Sequence, residues 1–228
     1  MSDGVRFFSA GLLSVIAFII LIGLLILIVP VFILGIIGTA FTRLGFSWIS
    51  ALAFVLLMVS GSFVNIPISY LSRDIIRIPR NGTPSLIWDT RISLNVGGAV
   101  IPSVISIYLL YNAILIAGIS LLITAGAGII TVTVISFIST KRVMGTGVQV
   151  PLLVPGLTAV IISVLLFGGP GMTAATTAFV SGTMGTLAGG NIVNIFRMRD
   201  LEIPEFSIGG AGTFGAIFLC CILPALIA

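Results

Sequence analysis

Residues 7–42 read FFSAGLLSVIAFIILIGLLILIVPVFILGIIGTAFT, and none of these 36 residues carries a charge. A helix of that length would be about 54 Å long, whereas the hydrocarbon core of a bilayer is about 30 Å thick. Pro30 lies inside the run, and the segment after it is too short to cross a bilayer again. We therefore predict one long, tilted helix that is kinked at Pro30 and crosses the membrane once.

The rest of the chain has the same apolar character. Its 228 residues are 58% hydrophobic and 7% charged, and the mean hydropathy is +1.34. Soluble domains contain about 25% charged residues, so the composition excludes a soluble globular protein. It predicts an all-α, polytopic helical bundle that forms a single integral membrane domain over residues 1–228.

Polar residues divide the apolar sequence into about seven predicted spans. The turn between the third and fourth spans is predicted at Tyr111-Asn112, where no charge marks it, whereas Gly168-Gly169-Pro170-Gly171 is a strong turn signal. The predicted spans are about 8–41, 47–70, 92–111, 113–138, 151–167, 172–196 and 207–228.

The basic residues predict the orientation of these spans. If seven spans alternate in direction, nine of the ten Lys and Arg residues fall on one side and Arg43 alone falls on the other. The positive-inside rule then places the N-terminus in the cytoplasm and the C-terminus outside, in a multi-pass protein of the plasma membrane. The same residues would face anionic lipid headgroups, and nothing in their pattern indicates nucleic-acid binding. The nine are Arg6, Arg73, Arg77, Arg80, Arg91, Lys141, Arg142, Arg197 and Arg199.

This sequence contains few side chains that could act as catalytic groups. There is no histidine, and all six acidic residues lie in tails or loops, so the spans offer no general acid or base. Cys220 and Cys221 are adjacent, which favours a packing role over a disulfide or a metal site. We therefore predict a protein that is not an enzyme and that has no catalytic residue, no metal and no cofactor. The acidic residues are Asp3, Asp74, Asp89, Asp200, Glu202 and Glu205.

Small residues recur at every fourth position in the sixth predicted span. Ser181, Gly185 and Gly189 form one such row, and Gly182 begins a second that continues at Thr186 and Gly190. Small residues four apart share a helix face and allow helix backbones to approach closely. The pattern favours tight packing of the sixth and seventh spans, but it also fits backbone groups exposed to a ligand, a membrane protein partner or a homo-oligomer.

Four asparagines lie in or near the predicted spans, and three have glycine or proline close by. An amide in hydrocarbon must be hydrogen-bonded, so either helix-to-helix hydrogen bonds or a polar cavity lined by broken helices would explain them. Pro67 and Pro102 would mark such breaks. The candidate ligand-binding residues are Asn65, Pro67, Asn95, Gly97, Gly98, Pro102, Asn191, Asn194, Gly209, Gly210, Gly212 and Thr213.

Five stretches, in order along the chain, carry a resemblance to a known family. They are FTRLGFS at 41–47, GSFVNIP at 61–67, NVGGAVIP at 95–102, SGTMGTLAGGNIVN at 181–194 and SIGGAGTFGAIFL at 207–219. On these motifs the chain resembles an uncharacterised prokaryotic, mainly archaeal, family of multi-pass membrane proteins whose function is unknown.

The resemblance implies an aspartate where this chain has Asn191 and another where it has Gly215. Two facing membrane aspartates would make the family similar to intramembrane aspartyl proteases, which share a proton between such a pair. Pro224-Ala225-Leu226 is also similar to a tripeptide of those proteases. Since this chain lacks both carboxylates, the resemblance favours a non-catalytic role.

Two functions follow as hypotheses. The first is a non-enzymatic membrane protein that binds or transports a small or lipid-like molecule, or that serves as a subunit of a membrane complex. The second is a catalytically degenerate relative of the intramembrane aspartyl proteases, which would hold a substrate helix without cutting it.

Overall fold

The computed structural model describes residues 4–71, 90–144, 147–198 and 203–227. This part of the chain is mostly helical, as predicted. A π-helical turn, Val96–Val100, leads into the third helix, and a second, Leu187–Ile192, continues the sixth. The seven α-helices are α1 (Gly4–Thr42), α2 (Trp48–Gly61), α3 (Ile101–Ala117), α4 (Ser120–Ser139), α5 (Val154–Phe167), α6 (Met172–Thr186) and α7 (Phe214–Ile227).

Three of the helical segments are long and apolar enough to cross a membrane, which is typical of a membrane protein. They are Ser14–Thr42, Val96–Ala117 and Ser120–Ser139. The helices α2, α5 and α7 are also apolar, but each has 14 residues and is therefore about 21 Å long. The prediction of one long first helix with Pro30 inside it is confirmed.

Five short strands correct the prediction that the fold is all-α. Strands β1 (Asn65–Leu71), β2 (Thr90–Asn95) and β5 (Glu205–Ile208) form one sheet in the order β1-β2-β5, and β3 (Lys141–Val143) pairs with β4 (Gly147–Gln149). β1 is antiparallel to β2, which is parallel to β5. Each strand of the larger sheet adjoins an apolar run, and composition alone therefore assigned part of the strand to a helix.

The helices have different bounds from several of the predicted spans. The predicted spans 47–70, 92–111 and 207–228 each include a strand at one end. The span predicted over 172–196 is α-helical only to Thr186, after which the π-helical turn follows. The turn predicted at Tyr111-Asn112 lies inside α3, and the chain instead leaves α3 at Gly118, whose φ of 81° only glycine adopts easily.

Helix α6 lies at the centre of the bundle and is buried along nearly its whole length. Gly128 of α4 lies against Ser181, and Gly189 lies against the carbonyl of Thr133. These contacts advance together along both helices, so α4 runs parallel to the α6 segment. The glycine rows of α6 are therefore packed against helices of the same chain.

Helix α7 runs antiparallel to α6. Gly182, in the middle of α6, lies against Cys220, whereas Asn191, beyond its end, bonds to Thr213 at the start of α7. At the other end of the bundle, the rings of Phe41 and Phe179 are 6.3 Å apart. We name the two ends accordingly: the sheet end holds β1–β5 and the start of α7, and the Arg43 end holds the end of α1 and the start of α6.

The basic residues divide between these ends. Arg91, Lys141, Arg142 and Arg197 lie in or beside the strands and turns of the sheet end, whereas Arg43 donates to the Leu226 carbonyl (3.0 Å) at the Arg43 end. The other predicted loop charges, namely Arg73, Asp74, Arg77, Arg80, Asp89, Arg199, Asp200 and Glu202, lie outside the described residues.

Candidate functional site

Asn95, the last residue of β2, links three segments at the sheet end. Its Nδ2 donates to the Ser62 carbonyl (2.7 Å) and to Asn65 Oδ1 (2.9 Å), and its Oδ1 accepts from the Gly98 N–H (2.8 Å). The side chain is 1% exposed. Asn95 therefore ties the end of α2 and the start of β1 to the π-helical turn that precedes α3.

Asn65 extends this network to the third strand of the sheet. Its Oδ1 accepts a second hydrogen bond from Ser207 Oγ (2.7 Å), on β5. Ser93 Oγ, on the intervening strand, donates to Glu205 Oε1 (2.7 Å). A continuous layer of amide, hydroxyl and carboxylate groups thus crosses the sheet.

Asn191 makes a second group of contacts, at the start of α7. Its Oδ1 accepts from the Gly209 N–H (3.1 Å) and from Thr213 Oγ1 (3.2 Å). The Gly209 N–H fixes the orientation of the amide, because Nδ2 could not accept that hydrogen bond. Asn191 Nδ2 is buried and has no partner within the described residues, an arrangement that costs about 1–3 kcal/mol.

Three glycines allow the turn before α7 to lie close to its neighbours. A Cβ at Gly98 would collide with the Gly209 carbonyl, and Gly209 itself has a φ of 76°. Gly212, with a φ of 87°, lies against the Val148 carbonyl, and its own carbonyl accepts from the Val150 N–H (2.9 Å). The turn 209–213 is thus held between the π-helical turn and the β3–β4 hairpin.

The middle of this turn is open to its surroundings. Ala211 and Gly212 are exposed, and within the described residues no backbone acceptor is recorded for their N–H groups. The neighbouring N–H groups of Gly210 and Thr213 are bonded to carbonyls of the turn. Because the turn begins a 14-residue helix, its free N–H groups carry the positive end of the helix dipole.

Most of the predicted ligand-binding residues come together here. Direct contacts join Asn65, Asn95 and Gly98 in one group, and Gly98 then meets Gly209 of the Asn191 group. The remaining members of this assembly are Gly97, which abuts the Met58 carbonyl, and Gly210, Gly212 and Thr213 of the turn.

Three predicted residues lie apart from it. Asn194 Nδ2 donates to the carbonyls of Gly189 (2.7 Å) and Gly190 (3.3 Å), so it caps its own helix. Pro67 is exposed on β1, beside a bulge. Pro102 begins α3 rather than breaking it, and its carbonyl accepts from Ser106 Oγ (2.8 Å).

Sequence reasoning missed Ser62, Ser93, Ser207 and Glu205. A strand assignment for EFSI at 205–208 would have placed the side chains of Glu205 and Ser207 on one face, because side chains alternate along a strand. An apolar groove of about 330 Å³ lies elsewhere, at the Arg43 end, lined by Val160, Ile161, Val164, Leu165, Pro170 and Ile227.

Comparison with known proteins places the chain in a family. A family model with the description "Protein of unknown function (DUF1614)" matches residues 59–227, which include the whole sheet end and exclude α1. No curated protein and no solved structure matches the chain.

Proposed function

The chain belongs to this family of unknown function, and we propose from its site that it binds a small polar or lipid-like molecule without chemical conversion. The binding site is a water-filled recess at the sheet end. The protein crosses the plasma membrane seven times, with its N-terminus in the cytoplasm and its C-terminus outside, so the recess opens toward the cytoplasm. Such a site would serve a transporter or a binding subunit of a membrane complex.

The distribution of basic residues supports this orientation. Arg91, Lys141, Arg142 and Arg197 belong to the sheet end, and Arg43 belongs to the other. Cytoplasmic loops of membrane proteins carry an excess of Lys and Arg. The parallel pair formed by α4 and the α6 segment, and the antiparallel course of α7, also fit spans that alternate in direction.

The short length of three helices is the observation that supports the recess. α2, α5 and α7 are each about 21 Å long, which is about 9 Å less than a hydrocarbon core of about 30 Å. We place β1, β5 and the turn 209–213 in the remaining depth at the sheet end, because they adjoin these short helices in the chain. Non-helical backbone at membrane depth is tolerated where it is buried in protein or lines a water-filled cavity. The exposure of Ala211 and Gly212 favours the second case for this turn.

The groups around the recess suit binding better than catalysis. Its surface offers amides, hydroxyls and backbone N–H groups, and the chain has no histidine. Glu205, the one acidic residue within the described part of the chain, accepts a hydrogen bond from Ser93. A general acid–base pair is therefore not assembled from these residues.

Native mass spectrometry of protein extracted gently from its own membranes tests the proposal. We expect the wild-type protein to carry a defined extra mass and Ala211→Trp, which fills the recess, to lose it. Ile123→Trp is the control, because Ile123 is an apolar residue that is 75% exposed on α4, away from the turn 209–213 and from the apolar groove. A mass retained by Ala211→Trp, or absent from the wild type, contradicts the proposal. A stoichiometric second polypeptide would identify the complex in which the protein acts.

A second candidate is the degenerate relative of the intramembrane aspartyl proteases. Asn191 Oδ1 accepts two hydrogen bonds, as a carboxylate there would, and a Cβ at Gly215 meets only the flexible end of Leu152, at 2.7 Å. Both positions thus have room for aspartate. This candidate expects the double variant Asn191→Asp, Gly215→Asp to cleave a transmembrane reporter peptide, with each single variant as control. A folded double variant that leaves the peptide intact counts against it.

A further inference from the structure

We propose that the recess at the sheet end selects anionic groups, namely a carboxylate or phosphate group carried by a soluble molecule or by a lipid headgroup. This inference rests on the proposed function and adds the chemical class of the ligand. It is drawn from the charges around the recess and from the hydrogen-bond donors inside it.

The sheet end has a surplus of positive charge, both among the described residues and in the whole sequence. Within the described residues, this end exposes Arg91, Lys141, Arg142 and Arg197 against the single acid Glu205, and no ion pair of these cations is recorded there. In the whole sequence, the same predicted side carries nine basic and six acidic residues, which leaves three positive charges. Low-dielectric walls focus the field of such charges into a cleft.

Arg142 connects this charge to the turn before α7. It lies opposite Val148 in the β3–β4 ladder, and the Val148 carbonyl touches Gly212. Opposed residues in an antiparallel pair have Cα atoms about 5 Å apart, so the base of the Arg142 side chain is within two contacts of Gly212. Charges closer to the turn than the Debye length of about 8 Å at physiological salt are only partly screened.

The turn before α7 supplies hydrogen-bond donors to the recess. The free N–H groups of Ala211 and Gly212 stand at the start of α7, and Asn191, whose Nδ2 lacks an acceptor, is bonded to the same turn. Arg197 is held with its Cζ 4.4 Å from the centre of the Phe137 ring, so its guanidinium is positioned at this end. Unsatisfied donors beside a surplus of cations favour an anion over a cation or a neutral solute.

Charged thiol reagents measure this selectivity directly. Ala211→Cys is placed in a Cys220→Ala, Cys221→Ala background, since both native cysteines are buried, and the protein is reconstituted in phosphatidylcholine nanodiscs. It is then treated with sulfonate-bearing or trimethylammonium-bearing methanethiosulfonate. Relative to a free thiol, we expect the anionic reagent to be favoured by about tenfold at low salt.

Variants of Lys141 and Arg142, which we call the rim of the recess, test whether these positive charges cause the preference for the anionic reagent. Lys141→Gln, Arg142→Gln should bring the rate ratio close to that of a free thiol. Arg43→Gln is the control at the opposite end, where the removal of one positive charge should leave the ratio unchanged. A ratio equal to that of the free thiol, or one that the rim variant does not lower, overturns the anion proposal.

The labelling results differ if the proposed recess itself does not exist. If there is no water-filled recess, Ala211→Cys reacts with neither charged reagent, whatever the rim carries. If the recess exists but does not select anions, both reagents react at the rates expected from a free thiol.

The source of the anion is separated with uncharged methyl methanethiosulfonate. Protection by inorganic phosphate, against chloride at equal ionic strength, indicates a soluble anion. Protection only when phosphatidylglycerol replaces part of the phosphatidylcholine indicates a lipid headgroup. Protection by neither contradicts binding of an anionic group in the recess.

Discussion

Gly98 and Gly209 bring two segments that are 111 positions apart into contact, backbone against backbone. Neither residue could carry a side chain without moving the other segment, because a Cβ at Gly209 would lie 2.6 Å from the Gly98 carbonyl carbon. Asn95 and Asn191 hold these same two glycines through their N–H groups. The amides and glycines of the sheet end thus depend on one another, which explains their clustering in the sequence.

Replacing Gly98 by alanine should destabilise the protein strongly. The added methyl group would overlap the Gly209 carbonyl, and overpacking of this kind typically costs about 1–3 kcal/mol. Gly126→Ala is the control, because Gly126 lies inside α4 with nothing within 4 Å of an added Cβ, and alanine is the better helix former. We expect the melting temperature in detergent to fall for Gly98→Ala only. Equal melting temperatures would refute the close contact.

Removing the Asn95 side chain should be more harmful than removing that of Asn65. Asn95→Ala leaves the Gly98 N–H and the Ser62 carbonyl without their partner in a buried position, and each unsatisfied buried group costs about 1–3 kcal/mol. After Asn65→Ala, Asn95 Nδ2 keeps its hydrogen bond to the Ser62 carbonyl, and Ser207 Oγ is partly exposed and can bond to water. Thermal unfolding of the two variants checks the order, and a greater loss for Asn65→Ala would contradict it.

At the scale of elements, helices and strands differ in how well the sequence predicts them. Residues 7–42 predict α1, because a long, uninterrupted apolar run is typical of a membrane-spanning helix. Gly168 predicts the end of α5, and its φ of 71° is one that glycine adopts easily. The strands escape such reasoning, because NIPISYL and EFSI are too short to reveal a period against apolar neighbours. The candidate residues were predictable from amides beside glycines, whereas Ser207 became visible only once β5 was placed.

Helix α1 divides into an exposed part and a packed part, and the family match excludes it entirely. Phe18 is 62% exposed, whereas Phe41 is fully buried, with its ring against those of Phe46 and Phe179. We expect Phe41→Ala to lower the unfolding free energy by about 3–5 kcal/mol, as is usual for a buried phenylalanine, and Phe18→Ala to change it little in detergent. Similar losses for both variants would show that the first half of α1 is packed against a partner, such as a second copy of the chain.

At the scale of the whole molecule, the division of charge and the course of the helices make one prediction about the two membrane faces. Met144, in the β3–β4 hairpin, is 87% exposed at the sheet end, and Gly169 has open space around it at the Arg43 end. In the Cys220→Ala, Cys221→Ala background, Gly169→Cys should react with a membrane-impermeant maleimide in intact cells. Met144→Cys should react only after permeabilisation, since the positive-inside rule puts Lys141 and Arg142 in the cytoplasm. Labelling of Met144→Cys from outside would show that the orientation is the reverse of the predicted one. The recess, with its surplus of cations, would then open to the exterior. The experiment therefore decides from which compartment an anionic ligand could reach the turn before α7.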